Sequence, residues 1–190
     1  MNNNLVFEAK EIAKKVHGNQ VDKKKYPYMA HILDVASRVS YLGENYEITG
    51  LLHDAIEDAS KHPNGEEFKK EITSQIEKSF SKDAIEAIHA MTKLSSDNYF
   101  TDYLPRVKKN EIAKKVKIAD SSHNLSKAHL LIDEPDLQDK LRKKYIKVLN
   151  ELGEDGLSCE KPIIYKDGEW VEKKWKLIYE LIKQRNTYAT

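Results

Sequence analysis

The chain has 190 residues, 39% of them hydrophobic and 33% charged, with a formal net charge of +1. One domain with a modest core is expected, and no overall field draws it to nucleic acid or to a membrane surface. Its single cysteine, Cys159, excludes an intrachain disulfide and fits a reducing cytoplasm, the start lacks the apolar core of a secretion signal, and no stretch nears the ~18 apolar residues of a membrane span.

Seven glycines and five prolines in this length point to long regular segments. Apolar residues recur at three- and four-residue spacing through most windows, so the expected class is all-α. Residues 5–17 read as a first helix with Leu5, Ala9, Ile12, Ala13 and Val16 inward. "GNQVDKKKYPY" reads as a loop. Pro27, with its fixed φ and no backbone donor, suits the entry of a second helix over 27–42, with Ile32, Val35, Ala36 and Val39 as its stripe and Gly43 as its stop. "NYEITGLLHDAIEDA" predicts a third helix, which "SKHPNGEE" breaks. Helices over 68–80 and 83–92 follow, then a Ser-Ser-Asp-Asn loop.

From Asp102 to Leu130 a helical period resumes. Residues 137–149 turn Leu141, Tyr145, Val148 and Leu149 inward. Ile163, Ile164 and Tyr165, then Asp167-Gly168, then Trp170 and Val171 read either as a short hairpin or as an irregular lead into a last helix over 174–184. Residues 1–150 are thus expected to form one helical domain, and 151–190 an extension packed on it.

The stretch "LLHDAIEDAS" sets His53, Asp54, Glu57 and Asp58 into an apolar frame of Leu51, Leu52, Ala55, Ile56 and Ala59. On one continuous helix of about 3.6 residues per turn, His53 lies over Glu57 and Asp54 over Asp58. The four then line one side of a cleft, unless they form an ordinary solvated face. Buried carboxylates cost several kcal/mol each, roughly, unless paired or bound to a metal. "YPYMAHILDVA" places His31 on the inner stripe of the second helix, where it is either a core histidine or a ligand. "VKIADSSHNL" places Asp120 after Val116, Ile118 and Ala119, as either an N-cap or a ligand. Together His31, His53, Asp54 and Asp120 offer two imidazoles and two carboxylates. That set suits Mn²⁺ or Fe²⁺ better than a closed thiolate zinc site would.

The ordered series "HGNQ", "YPYMAH", "LLHDAIED", "MTK" and "VKIADSSHNL" resembles the HD-domain phosphohydrolase superfamily. Within it the chain is most similar to the hydrolase domain of RelA/SpoT-type enzymes and their small relatives, the alarmone hydrolases. The likeness spans residues 9–149. It implies an all-α HD bundle that removes the 3′-diphosphate from guanosine 3′,5′-bis(diphosphate), giving GDP and pyrophosphate, with Mn²⁺ as cofactor and Fe²⁺, Zn²⁺ or Mg²⁺ as alternatives. It implies His31, His53, Asp54 and Asp120 as metal ligands, and Glu57 and Asp58 as the groups that orient or deprotonate the attacking water. Lys24, Lys25, Lys93, Asn124 and Tyr145 match positions that approach the nucleotide; each lysine has simple surface solvation as its alternative reading. The segment before Pro27 departs from the pattern in lacking a glycine, and residues 98–103 look like a set of small bacterial HD proteins. Other readings are an HD phosphohydrolase for nucleoside mono- or triphosphates or another pyrophosphorylated nucleotide, and a nucleotide sensor without turnover. No synthetase domain is expected after Leu149.

Overall fold

The computed structural model describes residues 5–173. Helix α1 (Leu5–His17) buries Ala9, Ile12, Ala13 and Val16, the i, i+3, i+4, i+7 stripe expected of it. Helix α2 (Tyr28–Val39) begins after Pro27, which keeps an extended ψ of 124° and stands as its cap rather than inside it. A 3₁₀ turn (Ser40–Leu42) carries α2 to Gly43.

The third expected helix is two helices. Helix α3 (Glu44–Leu52) and helix α4 (Ala55–Ala59) are separated at His53-Asp54, where Asp54 has φ −109° and ψ −1°. The apolar period runs through this break, so periodicity alone does not reveal it. Helix α5 (Gly65–Ser79) starts earlier than expected, at the glycine of the breaker segment, and helix α6 (Lys82–Met91) follows a capping Ser81. A π-helical turn (Tyr99–Tyr103) leads into α7 (Leu104–Lys109).

The long helical period of 102–130 is also divided. Asn110 leaves the helical region and caps α8 (Glu111–Ser126), its side chain accepting from the Ala113 N–H. Helix α9 (Pro135–Leu152) carries a first-turn proline, ends at Gly153 and runs across the expected boundary at 150.

Strands β1 (Ile163–Lys166) and β2 (Glu169–Glu172) pair antiparallel, Ile163 opposite Glu172 and Lys166 opposite Glu169. Asp167 and Gly168 both have positive φ, 53° and 91°, as a two-residue I′ turn requires. The hairpin alternative therefore holds; the expected helix over 174–184 lies outside the described residues. Trp170 of β2 packs on Tyr26 and on the His123 ring, at centroid distances of 5.1 and 5.3 Å.

One core cluster joins α1 to α6 around Ile12, Ile32, Leu52, Ile72, Ile76 and Ile88. A second joins α2, α6, α7 and α8 around Val35, Met91, Val107 and Val116. Helix α8 lies against α2, α3, α6, α7 and α9 and is the hub of the bundle. Helices α2 and α3 approach closely at Gly50, where a Cβ would stand 2.7 Å from the Ala36 Cα. That approach brings His31 and His53 together. No helix among the described residues is long and apolar enough to cross a membrane.

Candidate metal centre

Helix α2 supplies His31, the α3–α4 break supplies His53 and Asp54, and α8 supplies Asp120. Ligand atoms of His31, His53 and Asp54 all lie within 4.8 Å of one another. Asp120 Oδ1 joins them, 3.3 Å from His31 Nε2 and 3.9 Å from His53 Nε2. His53 Nε2 is 3.1 Å from Asp54 Oδ2, a meeting of adjacent residues that an unbroken helix would hold roughly 100° apart. The break in the backbone is what turns both side chains to one point. Asp120 sits in the body of α8, so it is not an N-cap, and His31 and His53 are buried, so His53 does not lie on a solvated face.

The electrostatics of this floor call for a cation. His53 Nδ1–H donates to the Gly50 carbonyl at 2.8 Å, which directs Nε2 toward the carboxylates. His53 Nε2 is buried and makes no well-aligned hydrogen bond among the described residues, although Asp54 Oδ2 stands 3.1 Å away. Burial disfavours the His53 imidazolium, but Asp54 and Asp120 outweigh it and hold the pKa up at about 9. A proton there stands among carboxylates where a divalent ion would serve the same purpose with more charge. His31 behaves differently: burial, then the Lys127 charge, pull its pKa down to about 4 against the pull of Asp120. Burial opposes ionisation of Asp120, yet Lys117 and the two histidines keep it well below the usual carboxylate range. The donor set of two imidazoles and two carboxylates fits a divalent first-row cation.

Each acid has further support. Lys117 Nζ donates to Asp120 Oδ2 at 2.9 Å, and Asn124 Nδ2 to Asp120 Oδ1 at 2.6 Å. Tyr28 donates its hydroxyl to Asp54 Oδ2 at 2.5 Å. Asp58 is buried and accepts from Gln20 Nε2 at 2.8 Å and from Lys61. Gln20 in turn bonds His17 Nδ1, so the "HGNQ" loop is tied to Asp58. Glu57 is more open. Among the described residues its carboxylate accepts a 3.3 Å bond from the Lys93 N–H and lies 3.9 Å from Lys61 Nζ. Burial, reinforced by Asp54 against Lys61, raises its pKa.

Above this floor opens a cavity of about 530 Å³. Its walls include Lys24, Lys93, Asn124 and Tyr145, four of the five positions that the resemblance brings to the nucleotide. Lys25 is not among them: it is exposed at a turn, with φ 64°. That left-handed residue occupies the segment where the family pattern led one to expect a glycine. The walls also carry Lys117, Lys144, Lys61, Tyr99, Tyr103 and Tyr28, to which the sequence reading gave no substrate or metal role. One of these had a readable signal: Lys117 lies one turn before Asp120. Lys144 Nζ sits 4.3 Å from the Tyr99 ring centroid.

This arrangement, a helical bundle with a His, His-Asp, Asp floor beneath a basic cavity, is that of an HD domain. Residues 28–125, just over half of the chain, match the HD domain family, and the chain belongs to that family of phosphohydrolases. The matched stretch contains His31, His53, Asp54 and Asp120. Among curated proteins, the guanosine-3′,5′-bis(diphosphate) 3′-pyrophosphohydrolase of Aquifex aeolicus (strain VF5) is 28% identical over 106 residues. That alignment spans 55% of this chain and 14% of the relative, so this chain covers a small part of the relative's length. A solved structure of a metazoan ortholog of SpoT, which hydrolyses ppGpp and plays a role in starvation responses, matches with a TM-score of 0.64 at 21% identity. The match covers 84% of this chain and 92% of that one, a likeness of fold.

Proposed function

We propose that the chain hydrolyses guanosine 3′,5′-bis(diphosphate) to GDP and pyrophosphate, using one divalent cation, Mn²⁺ by preference, held by His31, His53, Asp54 and Asp120. The observation that carries this reading is the convergence of those donors beneath a cavity walled by Lys24, Lys93, Lys127 and Lys144. A polyanionic substrate with two diphosphate arms suits such walls, since Lys24, Lys93 and Lys144 offer point charges to phosphate, while Lys127 is paired with Asp22. The Aquifex aeolicus relative supports the choice of nucleotide.

A divalent cation held there would polarise a phosphoryl oxygen and acidify a nearby water. Glu57 is the general base: it lines the cavity, its carboxylate is the less encumbered of the adjacent pair, and its raised pKa favours accepting a proton. The water oxygen bonds to the phosphorus attached to the ribose 3′-oxygen, the bond from that phosphorus to the 3′-oxygen breaks, and the 3′-oxygen takes a proton. Asp58, held by Gln20 and Lys61, keeps the loop at 17–20 and the water in register. Asn124 and Lys117 aim Asp120 at the cation. Lys24, Lys93 and Tyr145 face the nucleotide from the walls.

The test is a release panel in Mn²⁺ with chelator controls, offering guanosine and adenosine 3′-diphosphates beside nucleoside mono- and triphosphates. Pyrophosphate release from the guanosine 3′-diphosphate is expected. Release only from mono- or triphosphates would assign a different HD phosphohydrolase, and tight binding without turnover would make the chain a sensor.

A further inference from the structure

Outside the donor set, one buried histidine stands directly behind a donor. His123, fully buried on α8, places its Nδ1 2.8 Å from His31 Nδ1, with ring centroids 4.7 Å apart. Two ring nitrogens at that distance hold one hydrogen between them; two would collide, and none would leave lone pair against lone pair. The pair therefore has two neutral arrangements. In one, His123 Nδ1–H donates to His31, and the His31 hydrogen sits on Nε2, facing Asp120. In the other, His31 Nδ1–H donates to His123, His31 Nε2 is a bare lone pair, and the His123 hydrogen moves to its own Nε2.

Only the second arrangement lets His31 bind a cation through Nε2. The far side of His123 is shaped for it. His123 Nε2 is buried without a hydrogen-bond partner among the described residues, and the nearest anion, Asp34 Oδ2, lies 3.7 Å away. Asp34 is itself held by Arg38 on the next turn of α2. Trp170, from the C-terminal hairpin, packs nearly perpendicular to the ring at a centroid distance of 5.3 Å. His53, by contrast, is oriented by a backbone carbonyl, which only accepts and so leaves no choice of tautomer.

Building on a cation held at His31, we propose that His123 is a positioning residue that selects the Nδ1–H form of His31, with Asp34 stabilising the hydrogen displaced to His123 Nε2. In the cation-binding form both rings have changed tautomer, the His31 hydrogen from Nε2 to Nδ1 and the His123 hydrogen from Nδ1 to Nε2, with no change in the number of protons on the pair.

Two measurements test this without turnover. In Mn²⁺ titrations followed by calorimetry, His123→Leu, which keeps the bulk and removes the acceptor, should bind about 10- to 100-fold more weakly than the parent. His123→Asn, whose side-chain oxygen falls near the Nδ1 position, should recover most of the loss. Parent-like affinity in a folded His123→Leu would overturn the assignment while leaving the metal centre standing; absence of any Mn²⁺ binding by the parent would remove both. Should His123→Leu fail to fold, long-range ¹⁵N–¹H correlation of the histidine rings in the parent decides, with diamagnetic Zn²⁺ as probe. The expected spectrum has the hydrogen on Nδ1 of His31 and on Nε2 of His123 when Zn²⁺ is bound. A hydrogen on His123 Nδ1 in that state would refute it.

Discussion

At the floor of the cavity each proposed donor is held by a second partner: His53 by the Gly50 carbonyl, Asp54 by Tyr28, Asp120 by Lys117 and Asn124, His31 by His123. The walls are made otherwise. Lys61 and Lys93 reach in from just beyond the ends of α4 and α6, and Lys23 and Lys24 from a loop, all on flexible stems, with Lys61 pairing with Asp58. In the function proposed above, reaction type rests on the floor, where geometry is set before a ligand arrives. Substrate choice belongs to the walls, which can adjust to the spacing of the phosphates they meet.

Substitutions at the two levels should therefore differ in kind. The largest effect is expected for Asp54→Asn: hydrolysis falls below detection and Mn²⁺ affinity drops by more than ~100-fold, since loss of mere supporting groups already costs 10- to 100-fold. Glu57→Gln comes next, lowering kcat by about 10²- to 10⁴-fold while Mn²⁺ binding measured by calorimetry stays as in the parent. A joint loss of binding would place Glu57 among the ligands and blur the division.

Lys117→Met breaks a buried pair and should lower stability by about 3 kcal/mol in chelator, less in Mn²⁺, because the cation and the lysine neutralise the same carboxylate. Equal losses in both conditions, read by urea denaturation, would mean that Asp120 does not meet the cation.

Smaller effects belong to the walls. Burial, then the neighbouring Lys127 charge, lowers the Lys24 pKa to about 8. Lys24 is thus cationic below that pH and loses its charge as pH rises through it. KM should climb about tenfold between pH 7 and 9, and Lys24→Arg should remove most of that climb. Lys25→Ala, one residue on but outside the cavity, should change KM less than about twofold.

The floor was legible in the sequence because each donor breaks a local rule. His31 sits on an apolar stripe, Asp120 follows three apolar positions, and His53-Asp54 interrupts a leucine-rich run. What was hidden is how His53 and Asp54 meet, since the apolar period passes unbroken through the turn between α3 and α4. The division at Asn110 was hidden for the same reason. The walls were hardly legible. With 32 lysines and arginines in the chain, nothing local separates Lys144 from a solvated neighbour, and only the packing of α9 on α8 brings it to the cavity. Lys24 and Lys25 look equivalent as letters; the left-handed backbone at Lys25 separates them. His123 carried no signal of its own, because its meaning depends on a ring 92 residues away.

Whether the four donors hold one cation is tested most directly by anomalous scattering from crystals grown with Mn²⁺. A single strong peak is expected within coordination distance of His31 Nε2, His53 Nε2, Asp54 and Asp120. A peak elsewhere, or none at that point with Mn²⁺ in excess, would contradict that expectation.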